Sequence, residues 1–323
     1  DNQERLLQMA KESKARQEQF LGLRGQATAN SRLRAAYDDA GYANEQITGI
    51  SNLFFTRDLI TRIENDPVSV LATLEDIRNL LVNRTRLLVN ITADNDNWQN
   101  MQGQLKTFIE TLPATDSAPQ TWQRDNYPQY EGFAVPTQVN FVGKGANLYD
   151  LGYEASGSHV AIFKYLNFGY LWNRVRVQGG AYGGRAIFNH LSGVLTYLSW
   201  QDPNLVDTLK VYDEAAQYLQ AVNLDKDDLE KAIIGAIGDM DNHMLSDAKG
   251  YQSMVRYLTG YTDEIRQTVR DEVFATSNDD FHKLGDALAK VAAEGRIVVT
   301  SWKEKLEDTN QNSDVTFDIK DVL

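Results

Sequence analysis

One pattern occurs twice in this chain of 323 residues: an amphipathic helix, a short turn and an apolar run typical of a strand. The two copies match at a constant offset of 210 residues. The matched pairs are Leu74 and Leu284, Asp76 and Asp286, Leu81 and Val291, Arg86 and Arg296, Leu87 and Ile297, Leu88 and Val298, and Val89 and Val299. Generic βα patterning is one explanation. The other is a duplicated α+β unit.

The two copies differ in what precedes them. A long stretch of strand and helix patterns precedes the second copy, whereas the first follows residues 2–64, which read as charged helices with few breakers. Within the first copy, Asp66-Pro67 predicts a helix start, and LLVNIT at 87–92 predicts a strand. A first copy without a strand-rich front half predicts that the chain is a fragment of a longer protein.

A break between two domains is expected at residues 113–136, which carry four of the six prolines and no sustained periodicity. This segment is interpreted as a linker between residues 1–112, mostly helical, and residues 137–323. Helices are expected to fill most of the second domain, including 157–173 and 278–293. Its strands are expected near Val139 and over 193–200, 296–301 and 315–319.

The most unusual local sequence is LWNRVRVQGGAYGG at 171–184. Four glycines surround Tyr182 in it, namely Gly179, Gly180, Gly183 and Gly184. Glycine costs about 0.5–1 kcal/mol relative to alanine inside a regular element, so this density favours a sharp turn or a close backbone approach. Arg176 and Tyr182 would stand beside that turn as a permanent cation and a neutral O–H donor. The alternative is a glycine-rich hairpin with incidental polar residues.

This segment resembles the last domain of the presequence proteases, the peptidasome branch of the pitrilysin/insulinase zinc peptidases. The likeness spans residues 136–203 and continues through AIIGAIGDMD at 232–241 and SDAKGYQSMVRYLTGYTDEIRQ at 246–267. It reaches back to LLVNITADNDN at 87–97 and AYDDAGYANEQITGISNLFF at 36–55. The resemblance therefore covers nearly the whole chain.

The resemblance implies an α+β fold of pitrilysin/mitochondrial-processing-peptidase-like domains, with mainly antiparallel sheets and helices packed on one face. Such proteins contain four units in a row. Residues 1–112 would be the rear half of the third unit, and residues 137–323 the complete fourth. In this family an arginine and a tyrosine of the C-terminal half, matched here by Arg176 and Tyr182, reach across a closed chamber to a zinc site. The four glycines would form the turn that places Tyr182.

The function implied is that of the non-zinc-binding C-terminal half of a metalloendopeptidase that degrades unfolded peptides in a closed chamber. Zinc would be a cofactor of the full-length enzyme but not of this chain, because none of its four histidines lies in the family's HxxEH motif and it has no cysteine. The chain alone is therefore expected to be inactive. The alternative is a catalytically inactive pitrilysin-fold subunit for binding or assembly, since the superfamily has members that lost the zinc.

Charge narrows the expected partners. A formal net charge of −13 without a basic stripe argues against nucleic acid, and no apolar run approaches the roughly 18 residues that span a bilayer. Carboxylates lining a cavity would attract basic peptides, although the same charge is ordinary for an acidic protein. The resemblance favours basic peptides as substrates and the protein's own N-terminal catalytic half as partner. It implies the cytoplasm for a bacterial protein, and the mitochondrial matrix or plastid stroma for a eukaryotic one.

Overall fold

The computed structural model describes residues 3–116, 118 and 121–323, which form helices and a six-stranded sheet. The α+β class is confirmed. The α-helices are α1 (Gln3–Leu21), α2 (Gly25–Ala35), α3 (Asp39–Thr48), α4 (Ile50–Asn65), α5 (Pro67–Leu81), α6 (Asn95–Thr111), α7 (Ser158–Tyr165), α8 (Val206–Gln220), α9 (Lys226–Met240), α10 (Ser246–Thr259), α11 (Asp263–Phe274), α12 (Asn278–Glu294) and α13 (Lys303–Asn312). A π-helix, Leu166–Gln178, continues α7.

The sheet is mixed, with the strand order β3-β4-β2-β5-β1-β6. Its strands are β1 (Tyr130–Ala134), β2 (Phe141–Asn147), β3 (Gly183–Asn189), β4 (Val194–Trp200), β5 (Arg296–Ser301) and β6 (Asp318–Asp321). Among the described residues, β5 lies between β1, which runs parallel to it, and β2, which runs antiparallel. The pairs β2–β4 and β3–β4 are antiparallel and β1–β6 is parallel, so antiparallel pairing predominates, as expected.

Both faces of the sheet are covered. The side chains of Ile297 and Val299 in β5 belong to a core cluster with residues of α8 and α12. The intervening Val298 belongs to a second cluster with α2, which contacts β2, β4 and β5. This alternation follows from the two-residue period of a strand. Helices α8 and α12 thus lie on one face, as the resemblance implies, while α2, which precedes the sheet in sequence, covers the other.

A buried ion pair joins α2 to the sheet. The Arg32 guanidinium donates to both carboxylate oxygens of Glu131 in β1, with Nε–Oε2 and Nη2–Oε1 distances of 2.6 and 2.9 Å. The Lys320 ammonium in β6 donates to Oε1 of the same carboxylate at 2.6 Å. The ring of Tyr127 lies 3.6 Å from the guanidinium carbon of Arg32. Fork-on-fork pairing of this kind fixes orientation as well as adding energy, so it sets how α2 lies on the sheet.

The segment 87–92 departs from its sequence-based prediction. These residues are described, and they form no strand, because no other described segment pairs with their backbone. The strand expected near Val139 begins at Phe141, and the strand expected over 315–319 begins only at Asp318. By contrast, the strand predicted over 296–301 is confirmed at both ends.

The chain divides into two compact units. The first compact unit comprises Asp1–Ala10, Asp58–Gln123 and Asp241–Gln267, and the second comprises Lys11–Arg57, Arg124–Met240 and Thr268–Leu323. The end of the segment expected to be a linker, 113–136, forms β1 in the sheet of the second unit. The assignment of the chain to a third and a fourth repeated unit stays a prediction.

Candidate functional site

The candidate surface begins on the π-helix that continues α7 in the second compact unit. π-Helical turns are rare and are frequent at functional sites. One side of this helix is buried in the core through Leu166, Tyr170, Leu171 and Val175. Its other side presents Trp172 and, four residues later, Arg176. The last turn is closed by the Gly179 N–H, which donates to the Arg174 carbonyl at 3.0 Å.

A sharp turn follows the π-helix and places Tyr182. Gly180 has a φ of +79°, a conformation that costs other residues about 1–2 kcal/mol. Its N–H donates to the Arg176 carbonyl at 3.0 Å, and the Ala181 N–H donates to the Val175 carbonyl at 3.2 Å. The methyl group of Ala181 is buried, whereas the next side chain, Tyr182, is 62% exposed. The turn therefore anchors one residue and projects the next one outward.

The other glycines of the motif have different roles from Gly180. Gly183 and Gly184 lie in strand β3, although the sequence analysis places them in the turn. A Cβ on Gly184 would lie 2.6 Å from Val175 Cγ1, and one on Gly183 would overlap the indole ring of Trp200. These two glycines allow β3 to approach its neighbours closely. Gly179 ends the π-helix with an ordinary φ of −79°.

The structure brings the two predicted side chains, Arg176 and Tyr182, together. The guanidinium carbon of Arg176 lies 5.3 Å from the centroid of the Tyr182 ring and 4.4 Å from that of Trp172. Both distances are within cation–π range. Its neighbour Arg174 pairs with Glu214 at 2.7 Å, whereas Arg176 has no ion pair within the described residues. In that same part of the chain the Tyr182 hydroxyl has no hydrogen-bond partner, so its O–H and the guanidinium both remain available to a ligand.

A second loop, residues 201–204, supports the turn. Gln201 has a φ of +48°, which is uncommon for a residue other than glycine, and its carbonyl accepts the Tyr182 N–H at 3.3 Å. The buried Asp202 carboxylate accepts the Asn204 N–H at 2.9 Å. Burial raises the pKa of Asp202, even though its hydrogen bonds oppose the shift. The Asn204 amide donates to the Gly179 carbonyl at 2.6 Å, so the loop holds both ends of the turn.

The histidines do not assemble a metal site. No group of three or more His, Cys, Asp or Glu side chains is placed to hold a metal ion among the described residues. His159 Nδ1 lies 2.6 Å from the Ser156 carbonyl, and His282 Nε2 lies 2.7 Å from the Val222 carbonyl. Burial lowers the pKa of His159 and of His190, whose rings stack at 5.6 Å. The residues present in this chain therefore do not fit a zinc site.

Sequence reasoning missed two residues of this surface, Trp172 and Gln201. The spacing of four between Trp172 and Arg176 is a usable signal, because residues four apart share one face of a helix. The positive φ of Gln201 has no such signal. Glutamine is not enriched in that conformation, and the preceding strand gives no reason to expect it.

Two family models match the chain. The PreP C-terminal domain model matches residues 130–303, more than half of the chain, and includes both Arg176 and Tyr182. A second model, which describes a peptidase-associated region, matches residues 1–59. The chain belongs to the PreP C-terminal domain family. The family resemblance inferred from the glycine-rich segment is thus confirmed.

Members of this family are similar to the chain along its whole length. Over 323 residues it is 39% identical to presequence protease 1, chloroplastic/mitochondrial, of Arabidopsis thaliana, covering 100% of this chain and 30% of that protein. It is 28% identical to protein HypA of Clostridium perfringens, covering 100% of this chain and 33% of that protein. The mitochondrial presequence protease of Saccharomyces cerevisiae is 23% identical, with 87% of this chain and 30% of that protein covered.

The chain thus spans about a third of the length of these curated relatives. Among solved structures, a protease from Helicobacter pylori matches with a TM-score of 0.48 and 15% identity over 65% of this chain and 53% of that one. None of the helices in the described part of the family member is long and apolar enough to cross a membrane.

Proposed function

We propose that this chain is the C-terminal part of a zinc metalloendopeptidase that degrades unfolded peptides in a closed chamber. It would form part of the chamber wall and supply Arg176 and Tyr182 to the active site. The observation that carries the proposal is that an exposed guanidinium and an exposed phenol lie side by side. Family membership and the names of the relatives support peptide hydrolysis. Zinc would be held by residues outside this chain.

The two side chains suit different parts of peptide hydrolysis. Arginine has a fixed charge and a planar fork of donors, which suits gripping the carbonyl oxygens of an extended peptide. The rings of Trp172 and Tyr182 limit the positions of the Arg176 guanidinium, so less conformational entropy is lost when a peptide binds. The Tyr182 O–H would donate to the oxyanion that develops on the scissile carbonyl, where such a donor gives its largest effect.

The proposed substrates are unfolded and basic, and the proposed partner is an N-terminal catalytic half. The net charge of −13 would raise the local concentration of cationic peptides in an enclosed space. The chain covers about a third of its relatives, which leaves room for that second half. The names of two relatives give mitochondrial or chloroplast locations, which favour the matrix or stroma if this protein is eukaryotic. A bacterial protein would be cytoplasmic.

Peptide-hydrolysis kinetics of the longer protein test the proposal. Tyr182→Phe removes one O–H, so kcat should fall by about a hundredfold to a thousandfold if the phenol is an oxyanion donor. Arg176→Lys keeps the charge but loses the fork, so KM should rise. Tyr257→Phe and Arg185→Lys, at other exposed positions, are matched controls and should change neither constant. Melting temperatures should match the wild type in all four variants.

Two outcomes would contradict the proposal. Unchanged kcat and KM in Tyr182→Phe and Arg176→Lys would leave both residues without a catalytic role. A longer protein that binds unfolded peptides but hydrolyses none of them would instead support the alternative, a catalytically inactive binding or assembly subunit.

A further inference from the structure

The first compact unit carries an apolar strip on its surface. We define this apolar strip by Leu74, Leu81, Leu87, Leu88 and Val89, whose side chains are between 42% and 77% exposed. The first two lie on α5, and the other three are consecutive in the segment that follows it. A run of large aliphatic side chains in contact with water is uncommon in a folded protein and marks an interaction surface.

The repeat shows what such residues do elsewhere in the chain. At the offset of 210, the counterparts of the apolar strip are Leu284, Val291, Ile297, Val298 and Val299. Each of these five is at most 4% exposed. The residue types in the two sets are nearly the same, so the contrast in burial comes from what surrounds them. The counterparts lie in α12 and β5 of the second compact unit, whose sheet is complete around β5.

The backbone shows the same contrast. Strand β5 pairs on one side with β1 in parallel register, Ile297 opposite Tyr130, and on the other with β2 in antiparallel register, Ile297 opposite Lys144. In residues 88–92, no backbone group bonds to another segment of the described chain. The side chain of Asn90 donates to the Gly250 carbonyl at 3.1 Å, which is a contact outside any ladder. An apolar run with free backbone groups is a template for pairing with another strand.

We propose that residues 87–92 are a strand of a second sheet whose neighbouring strands belong to the part of the longer protein that precedes residue 1. The repeat selects this occupant, because at the same offset the counterparts of β1 and β2 fall ahead of residue 1. The relatives are about three times as long as this chain, which provides the necessary length. The inference depends on burial and pairing and not on peptidase activity.

The arrangement expected around this strand follows from β5. One neighbour runs parallel and the other antiparallel, as β1 and β2 do. Leu87 and Val89 face α5, as their counterparts face α12, and Leu88 faces away from it, as Val298 does. A strand buried on both faces reads as a continuous apolar run, which is the pattern of LLV at 87–89.

Hydrogen exchange of backbone amides tests the proposal without reference to activity. In the 323-residue chain, the amides of residues 88–92 should exchange nearly as fast as in an unstructured peptide. In the longer protein they should exchange on the order of a hundredfold more slowly, since ladder bonds open only by local unfolding. Residues 297–301 should be protected in both. Fast exchange of 88–92 in both proteins would overturn the proposal, as would a gene product no longer than this chain.

Matched substitutions give an independent reading. Leu88→Asn should leave the melting temperature of the chain unchanged and lower that of the longer protein by at least about 4 °C, because only there is the side chain buried. Its counterpart Val298→Asn should lower the melting temperature of both. Protection of 88–92 in the chain alone that rises with protein concentration would assign the strip to a second copy, and so would refute a preceding segment. A longer protein without peptidase activity but with protected residues 88–92 would refute the proposed function alone.

Discussion

Replacing Glu131 by glutamine should destabilise the second compact unit strongly. Its carboxylate is fully buried and accepts two hydrogen bonds from Arg32, at 2.6 and 2.9 Å, and one from Lys320 at 2.6 Å. Glutamine keeps the volume but removes the charge and one of the acceptor oxygens. The Arg32 side chain is also buried, at 6% exposure, so its charge would lose its principal partner without gaining access to water.

The size of the effect follows from this burial. Removing one member of a buried ion pair costs about 3–5 kcal/mol, because the other charge is left uncompensated. For a unit of roughly 150–250 residues, this is a loss on the order of 10 °C in melting temperature. The pair Lys303–Asp321 serves as a control, since both side chains are about half exposed at 49% and 60%. Asp321→Asn should cost less than about 1 kcal/mol.

The contribution of Glu131 should also depend on pH in a defined direction. Burial alone would raise the pKa of Glu131, but the hydrogen bonds and charges of Arg32 and Lys320 outweigh it and lower that pKa. The stabilisation is therefore complete above the unfolded-state pKa, about 4.3, and is lost as the pH falls through the folded-state value. Burial raises the pKa of nearby Glu45, a contribution of opposite sign that both proteins share.

Urea unfolding of the wild type and Glu131→Gln between about pH 3 and pH 8 measures both quantities. The difference in free energy of unfolding should be constant near neutral pH and should shrink below about pH 4. A loss no larger than that of Asp321→Asn would refute the reasoning about burial. A difference that grows in acid would refute the assigned direction of the pKa.

Three further substitutions probe the candidate site. Gly184→Ala places a Cβ 2.6 Å from Val175 Cγ1 and should cost about 1–3 kcal/mol in urea unfolding. Gly180→Ala meets nothing nearer than 3.6 Å but must hold a φ of +79°, so it should cost about 1–2 kcal/mol, and Gly180→Asn should cost less; equal losses would contradict this origin. Trp172→Ala removes one ring beside Arg176 and should raise the KM of the longer protein about two- to fivefold, whereas an unchanged KM would show that the ring does not position the guanidinium.

Local sequence predicted the regular elements wherever the chain also supplies their neighbours. RIVVTS at 296–301 was predicted as a strand and is one, with β1 and β2 on either side. LLVNIT at 87–92 has a closely similar apolar run, but the described residues offer it no partner and it forms no strand. A strand pattern states a capacity for pairing, and a neighbouring strand is needed to realise it.

Contacts between distant segments were beyond the sequence. Arg32 and Glu131 lie 99 residues apart, and nothing in the surroundings of either residue indicates the other. The helix α2 that carries Arg32 reads as an ordinary charged helix, yet it covers a face of the sheet. At the site, the motif indicated Arg176 and Tyr182, and both lie together. The strained Gln201 beneath them became visible only in the structure.

The two proposals depend on different parts of the molecule, and this determines how they can fail. Arg176 and Tyr182 are positioned entirely by groups of the second compact unit, through the buried Val175, the turn at Gly180 and the amide of Asn204. The isolated chain should therefore already hold the pair in place, as expected of a site built on rigid elements. Residues 87–92 lack the strands that would complete their sheet. Loss of the preceding segment should therefore leave the Arg176–Tyr182 geometry intact and release only the apolar strip.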